Sequence, residues 1–302
     1  MRQAFCRTLL EFSANPDFVF LTGDLGFMAL EPLKEAMTNH FINVGVAEQN
    51  MVGVAAGLAK SGLRPWTYSI APFLYARPFE HIRNDVCLHN LPVVLVGNGG
   101  GYGYGVMGST HHALEDYGVL LTLPNIRAYV PAFDSDLEQM IRCLMSVGHP
   151  AYLRLGLSEQ PKWLSPEPYA QWRRILPGTG PTVAFAGPLV GSALEAIRSS
   201  GTNADVWLVS ELPIDFPPAE FLGSIRTSGY LLAIEEHVAA GGFGQMLAHA
   251  LLRSGICPKH FVHRFALGYV SGLFGSQKFH RAECGLDPAS IVGELIKAAQ
   301  PS

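Results

Sequence analysis

The amino-acid sequence predicts an α/β protein with two doubly wound, mostly parallel sheets. Short apolar runs that suit buried strands alternate with segments of helical periodicity almost throughout the chain. A proline-rich segment interrupts this alternation once, and 302 residues is roughly the length of two domains. We therefore expect a first domain at residues 1–160, a linker at 161–180 and a second domain at 181–302.

Six apolar runs and six helical stretches alternate in the first part of the chain. The predicted strands cover 18–21, 41–44, 66–70, 92–96, 126–130 and 151–155, and the predicted helices lie near 3–13, 30–39, 47–61, 73–90, 113–121 and 134–147. The segment 158–181 holds five prolines and little periodicity, which is typical of a linker. Beyond it, strands are predicted at 182–186, 205–210, 230–234 and 261–265, with helices near 190–199, 242–254 and 288–299.

The composition excludes several classes of protein. Apolar residues make up 48% of the chain and charged residues only 15%, so the chain is not disordered, and another chain is expected to cover part of its surface. The formal net charge of −4 makes nucleic acid and anionic membranes unexpected partners. The sequence has no run of 18 apolar residues, so we expect no segment that spans a bilayer. The five cysteines are scattered without a Cys-x-x-Cys pair, which predicts a reduced, cytoplasmic protein.

Glu48 is an isolated charge at the start of a predicted helix. The segment 43–59 reads NVGVAEQNMVGVAAGLA, and its helix is apolar or small on nearly every face, so we expect it to be buried. One interpretation is that Glu48 complements the positive helix N-terminus, which is worth about 0.3–1 kcal/mol. The other is that a buried carboxylate needs a partner, and a ligand nitrogen that carries a proton would serve.

A glycine-rich loop follows the predicted strand at 92–96. Six of the nine residues 97–105 are glycine, which allows the backbone to approach a ligand closely. The G-x-G-x-x-G spacing at 103–108 is weak evidence for a dinucleotide site because it lies past the strand and opens no helix. The loop ends in His111 and His112, of which one could face a cleft as an acid, a base or a hydrogen-bond donor.

Two further segments have an ordinary structural interpretation beside a functional one. Phe73, Ala76 and Phe79 share a helical face that is either core or an aromatic wall for a flat heterocycle. The segment 233–244, AIEEHVAAGGFG, places two acids and a histidine before a glycine-rich helix start. For that segment we favour a strand end and a helix N-cap region.

Taken in order, these segments resemble the C-terminal half of transketolase, that is, a thiamine-diphosphate pyrimidine-binding domain followed by a transketolase C-terminal-like domain. The resemblance covers essentially the whole chain. It is carried by GVAEQN at 45–50, GSTH at 108–111, PNIR and VPA at 124–127 and 130–132, and EEH with GGFG at 235–237 and 241–244. The glutamate segment is also similar to that of 1-deoxyxylulose-5-phosphate synthase.

The resemblance implies roles for five residues in a thiamine-diphosphate site. Glu48 would hydrogen-bond N1′ of the cofactor's aminopyrimidine, and this would favour the form of the ring that activates the cofactor. Phe73 would stack on that ring, and Phe79 would be a second aromatic in the pocket. Asp24 would lie near the thiazolium, and His111 would hydrogen-bond substrate hydroxyls as a catalytic residue.

The family's Mg²⁺ motif is a Gly-Asp-Gly followed about 25–30 residues later by an Asn. The sequence contains no such motif, so the family's diphosphate domain is not recognisable. We therefore expect a split enzyme in which an N-terminal-type transketolase subunit holds Mg²⁺ and the diphosphate, as an α2β2 assembly. The buried interface that this requires agrees with the low charged fraction.

The predicted substrate pocket departs from the family. Arg2 matches one phosphate-binding arginine, but Leu157 stands where the other is expected, with Arg154 nearby. Gly99 replaces a histidine, and Met107 replaces the aspartate that contacts a sugar hydroxyl. We expect a donor that is less phosphorylated than the usual sugar phosphate, or one that carries another polar head group.

Four functions stay open on the sequence. The leading one is a transketolase-like subunit that transfers a two-carbon ketol unit from a ketose-type or keto substrate to an aldehyde. A decarboxylating acyloin synthase of the deoxyxylulose-phosphate type is its close competitor. A catalytically idle partner subunit would keep the fold alone. A nicotinamide dehydrogenase lacks a glycine fingerprint in the right place.

Overall fold

The structure is a computed structural model and describes residues 1–299. The strands β1 to β12, in chain order, are Phe18–Thr22, Phe41–Asn43, Arg64–Ile70, Val94–Asn98, Arg127–Tyr129, Ala151–Leu155, Trp172–Leu176, Thr182–Ala186, Asp205–Val209, Glu211–Leu212, Tyr230–Glu235 and His260–Arg264. The helices α1 to α12 are Arg2–Leu10, Glu31–Met37, Glu48–Lys60, Ala71–Ala76, Phe79–His81, Asp116–Leu120, Asp136–Leu144, Leu189–Ser199, Ala219–Ser228, Phe243–Arg253, Gln277–Glu283 and Pro288–Ala299.

The first sheet has seven strands in the order β10-β5-β6-β4-β3-β1-β2. All of its pairings are parallel except that of β10 with β5. Strands β1, β4 and β6 are buried along almost their whole length, as expected when helices cover both faces of a parallel sheet. The carboxyl ends of the parallel strands therefore meet at one edge, where the loops after β1, β2, β3 and β4 lie together.

The second sheet has five strands in the order β12-β11-β8-β9-β7. It is parallel apart from its edge strand β7, which runs antiparallel to β9. The predicted α/β class with two mostly parallel sheets is confirmed. The 161–180 linker needs a correction, because residues 172–176 within it form β7.

Strand β7 is held by a buried ion pair as well as by its sheet. Arg173 lies 2.6 Å from Asp136 at the start of α7, and both side chains are almost completely buried. The Asp136 carboxylate also accepts hydrogen bonds from the backbone N–H groups of Ala132 and Phe133. This contact joins a segment predicted as a linker to α7 of the first domain.

The two sheets share part of their core. One cluster of buried apolar side chains contains Ala128 and Tyr152 from the first sheet together with Ala186 and Val209 from the second. The short strand β10 follows β9 and returns to the edge of the first sheet. The second half of the chain thus completes the first sheet.

The long helix predicted at 73–90 is broken in the structure. It consists of α4, α5 and one π-helical turn at Ile82–Cys87. Pro78 separates α4 from α5, because proline has no backbone N–H to donate and its ring clashes with the preceding turn. The break leaves Arg77 exposed at the end of α4.

Candidate functional site

Glu48 is the buried centre of the site at the carboxyl edge of the first sheet. It begins α3, five residues after β2 ends, and its side chain is 3% exposed. Ser69 at the end of β3 donates a hydrogen bond of 3.4 Å to Oε1 of Glu48. Arg77 donates to both carboxylate oxygens, at 3.0 and 2.9 Å. Glu48 is therefore a paired, buried carboxylate and more than a complement to the helix terminus.

Phe73 is linked to this carboxylate through Arg77, and His111 contacts Phe73 in turn. Arg77 contacts Glu48, and its guanidinium carbon lies 3.7 Å from the centre of the Phe73 ring. The His111 ring meets Phe73 edge-on, with 5.2 Å between the two ring centres. Glu48 and Arg77 line one opening, and Phe73 and His111 are linked to it through Arg77. Their roles toward a cofactor or a substrate stay predictions.

The two adjacent histidines differ in their surroundings. His111 is half-buried and hydrogen-bonds the Thr110 hydroxyl at 2.9 Å. His112 is buried between the carbonyl of Gly105 and the hydroxyl of Tyr269, at 2.8 and 3.0 Å. Burial lowers the pKa of His112, so its neutral ring holds the glycine-rich loop against the second half of the chain. His111 is the one that contacts Phe73.

Asp24 lies at the tip of the loop after β1 and is held by a residue that the sequence analysis missed. Asn43 at the end of β2 accepts a hydrogen bond from the Asp24 backbone N–H at 3.1 Å and donates to the Asp24 carboxylate at 2.9 Å. Asn43 also accepts from the backbone N–H of Gly45 at 2.9 Å. It therefore fixes both loops that flank Glu48. Its position next to the carboxyl end of the strand predicted at 41–44 was the available signal.

Phe79 lies elsewhere. Its side chain is half-buried and packs against the apolar core. No ring contact joins it to Phe73 within residues 1–299. Its place in the pocket stays a prediction.

Arg2 and Gly99 line a second cavity, of about 370 Å³, at the same sheet edge. Leu157 and Tyr104 also line it. Gly99 has φ +79°, and a Cβ built on it would lie 2.2 Å from Cε2 of Tyr104. The Tyr104 ring thus fills the space that a larger residue at 99 would need. Met107 is exposed and does not line this cavity.

Tyr104 is the second residue that the sequence analysis missed. Its hydroxyl accepts a hydrogen bond of 2.7 Å from the Asn98 side-chain amide. Burial raises the pKa of Tyr104, so this hydroxyl is neutral at pH 7 and keeps a proton to donate.

Arg154 cannot serve as the missing arginine of that cavity. It is buried and lies 2.7 Å from the Asp116 carboxylate. Its guanidinium also donates to the carbonyls of Ala113 and Glu236, at 2.9 and 3.0 Å. The first two contacts lie within the first domain, and the bond to Glu236 joins it to the second, so the guanidinium of Arg154 is engaged in structural contacts.

The Glu235 segment has the structural role favoured from the sequence. Glu235 accepts hydrogen bonds from the backbone N–H groups of Phe243 and Gly244, at 2.7 and 2.8 Å, and thereby caps the start of α10. Tyr117 and His263 also bond its carboxylate. Glu235 is completely buried in this network.

Within residues 1–299, no group of three or more His, Cys, Asp or Glu side chains could hold a metal ion. No helix in the same range is long and apolar enough to cross a membrane.

Comparisons with known proteins agree with this arrangement. Residues 1–161, more than half of the chain, match the family model for the transketolase pyrimidine-binding domain. The chain belongs to the transketolase family. It is a C-terminal, transketolase-type subunit, as the motifs predicted, and its fold is that of the family.

Relatives of this transketolase-family chain include both split and longer proteins. An apulose-4-phosphate transketolase subunit of Phocaeicola vulgatus is 30% identical over 260 residues, which cover 83% of either chain. The 1-deoxy-D-xylulose-5-phosphate synthase 2 of Geobacter sulfurreducens is 34% identical over 266 residues, which cover 84% of this chain and 42% of the synthase. A solved structure titled as a split-gene transketolase, inactive beta4 tetramer, has a TM-score of 0.82 at 30% identity and covers 99% of this chain and 97% of its own.

Proposed function

We propose that this chain is one subunit of a thiamine-diphosphate-dependent transferase that moves a two-carbon ketol unit from a ketose-type donor to an aldehyde. In this proposal a separate subunit holds the diphosphate and Mg²⁺. The observation that carries the proposal is the buried Glu48 carboxylate, which shares the guanidinium of Arg77 with the Phe73 ring.

The residues at this opening suit an aminopyrimidine ring. Glu48 already accepts two hydrogen bonds from a planar cation that stacks on Phe73, so the pair accommodates a flat group that carries N–H donors. Ser69 and the loop of Gly23 leave little room behind the carboxylate, because a Cβ on Gly23 would lie 3.7 Å from Glu48 Oε1. Thiamine diphosphate, when bound, supplies the nucleophilic carbon of the transfer chemistry.

The remaining residues of this chain would orient the reactants. His111 contacts the Phe73 ring, and from there it would hold a substrate hydroxyl by a hydrogen bond or exchange a proton with it. Asn43 would fix Asp24 close to Glu48. Glu48 would keep the pyrimidine ring in one orientation and hold a proton at N1′.

Exposed apolar residues surround the opening and support a partner subunit there. Met28, Val46 and Val106 are 85%, 75% and 73% exposed, on the loops that follow β1, β2 and β4. An apolar surface around a polar site is typical of a surface that a partner covers. A relative that is named as one subunit of a transketolase also supports a two-subunit enzyme. We propose a heterotetramer of two copies of each chain.

The second cavity supports a donor with few negative charges. Among the described residues that line it, Arg2 carries the cationic side chain, and the Met1 ammonium is paired with Asp134 at 2.9 Å. Leu157 and Tyr104 add uncharged side chains to the wall. A phosphate dianion is bound most strongly by several cationic donors. We propose a ketose or keto donor whose far end is uncharged or singly charged. We also propose a cytoplasmic location, which the five unpaired cysteines of the described chain support.

A reconstitution tests the proposal. The chain is mixed with the candidate diphosphate-binding subunit, and ketol transfer is measured with Glu48→Gln and with a control, Glu35→Gln, an exposed carboxylate on α2. Glu48→Gln should abolish turnover and leave assembly intact, whereas Glu35→Gln should change neither. Unchanged activity in Glu48→Gln would instead support a catalytically idle subunit.

A decarboxylating acyloin synthase is the second candidate, and the 34% identity to a deoxyxylulose-phosphate synthase favours it. The two functions differ in the bond that the donor loses. Carbon dioxide release from pyruvate in the reconstituted pair would indicate the synthase reaction. Transfer from a ketose without gas release would indicate ketol transfer. A donor screen in which xylulose 5-phosphate surpasses every other donor would contradict the proposed pocket.

A further inference from the structure

Arg77 makes two contacts at once, and each is one that the proposed cofactor ring would make. Its guanidinium carbon is 3.7 Å from the centre of the Phe73 ring, within the distance of a cation–π contact. One guanidinium nitrogen, Nη1, donates to both oxygens of Glu48, at 3.0 and 2.9 Å. A guanidinium and an aminopyrimidine are both flat groups that carry N–H donors, so they compete for the same two surfaces.

The contact differs from an ordinary surface ion pair. Glu48 is 3% exposed, whereas the Arg77 side chain is 43% exposed. Within residues 1–299, the other side chain that donates to Glu48 is Ser69, at the longer distance of 3.4 Å. A buried carboxylate without a charged partner is unfavourable, so Arg77 stabilises Glu48 for as long as no other partner is present.

The local backbone allows Arg77 to leave. It is the last residue before Pro78, at the break between α4 and α5, and its outer side borders solvent. The cavity at Val46, Glu48 and Arg77 opens there. The guanidinium can therefore turn into water, where a charged group is well solvated.

We propose that Arg77 occupies, in the free subunit, the place that the aminopyrimidine of the cofactor takes on binding, so that cofactor entry displaces the guanidinium. This inference rests on the proposed function of Glu48 and Phe73. The carboxylate then has a partner in both states. The apparent cofactor affinity is lowered by the fraction of subunits in which Arg77 holds the site.

The test is a cofactor titration of the complex reconstituted with the diphosphate-binding subunit. Thiamine diphosphate with Mg²⁺ is added to wild type, to Arg77→Met and to a control, Arg83→Met, an exposed arginine one to two turns further along. If Arg77 holds the site in about 90–99% of molecules, Arg77→Met should tighten the apparent Kd about 10-fold to 100-fold. Arg83→Met should leave it unchanged. An Arg77→Met Kd within about threefold of wild type, or a weaker one, overturns the proposal.

Two measurements separate this inference from the proposed function. In the free chain without cofactor, Arg77→Met should lower the unfolding midpoint by about 3–6 °C, and Glu48→Gln in the same chain should recover most of that loss. In the complex, Glu48→Gln should weaken cofactor binding. If Glu48→Gln leaves the Kd unchanged, the proposed function fails. If Glu48→Gln weakens binding but Arg77→Met does not tighten it, only the displacement by Arg77 fails.

Arg77→Lys provides a second variant where Arg77→Met does not fold. Lysine keeps the positive charge but cannot lie flat on Phe73 or present a planar group of N–H donors to Glu48. Its cofactor affinity should fall between those of wild type and Arg77→Met. An affinity equal to that of wild type would show that the flat contact on Phe73 is not what opposes the cofactor.

Discussion

Replacing Gly99 by alanine tests how the second cavity is built. Gly99 has φ +79°, and an added Cβ would lie 2.2 Å from Cε2 and 2.4 Å from Cδ2 of Tyr104. The left-handed backbone costs about 1–2 kcal/mol for a residue with a side chain. A displaced Tyr104 also loses the 2.7 Å hydrogen bond from Asn98, worth about 1 kcal/mol, and about 1 kcal/mol of ring burial. We expect Gly99→Ala to lower the free energy of unfolding by about 3–4 kcal/mol.

The assay is urea unfolding of the free chain, followed by tryptophan fluorescence. Tyr104→Ala alone should lower the free energy of unfolding by about 2–3 kcal/mol, through the lost hydrogen bond and burial. Added to Tyr104→Ala, the Gly99→Ala change should remove only about 1–2 kcal/mol more, because the ring that clashes is gone. If the two losses instead add in full, Tyr104 does not fill the space beside Gly99, and the account of the cavity is wrong.

Three further predictions concern the buried pair, acid and the site histidine. Arg154→Met should lower the free energy of unfolding by about 3–5 kcal/mol in urea, because it leaves the buried Asp116 uncompensated, and Asp116→Asn in the same chain should recover part of the loss. Burial lowers the pKa of His112 and His237 in the folded chain. As the pH falls, the unfolded chain therefore binds protons at these histidines before the folded chain does. Stability measured against pH should be constant above about 6.5, fall as the pH drops below it, and level off below the folded pKa values; constant stability down to pH 5 would contradict this. His111→Asn should reduce kcat about 10-fold to 100-fold in the reconstituted pair, and a matching loss of cofactor affinity would refute its assignment to the substrate.

The gathering of Glu48, Phe73 and His111 could be predicted from the sequence. Each follows a strand that reads as buried, and the carboxyl ends of parallel strands meet at one edge. The apolar surroundings of Glu48 in the sequence also predicted its burial. These inferences needed only local periodicity and the rule for parallel sheets.

The contacts that complete the site could not be predicted in the same way. Arg77 reaches Glu48 from another helix, 29 residues away in the sequence, and only because Pro78 ends α4 there. The space beside Gly99 depends on the side-chain direction of Tyr104, which no periodicity reports. Both depend on side-chain geometry, which is decided by packing between elements.

Strand β7 was missed for a similar reason. Its residues alternate between buried and exposed, but the prolines around them dominate the local pattern. Its antiparallel partner β9 lies about 30 residues later in the sequence. Asp136, which binds Arg173 of this strand, lies earlier in the sequence. Long-range partners hold the strand in place. A long-range partner also holds β10, which follows β9 of the second sheet in the chain but pairs with β5 of the first sheet.

Binding of thiamine diphosphate to each subunit separately and to their mixture tests the central claim most directly. The cofactor is titrated, with Mg²⁺ present, into this chain alone, into the diphosphate-binding subunit alone and into the two together, and binding is followed by calorimetry. Saturable, tight binding should occur only in the mixture, and Glu48→Gln should weaken it there. Tight binding by this chain alone, or binding by the mixture that is indifferent to Glu48, would contradict a site shared between two proteins.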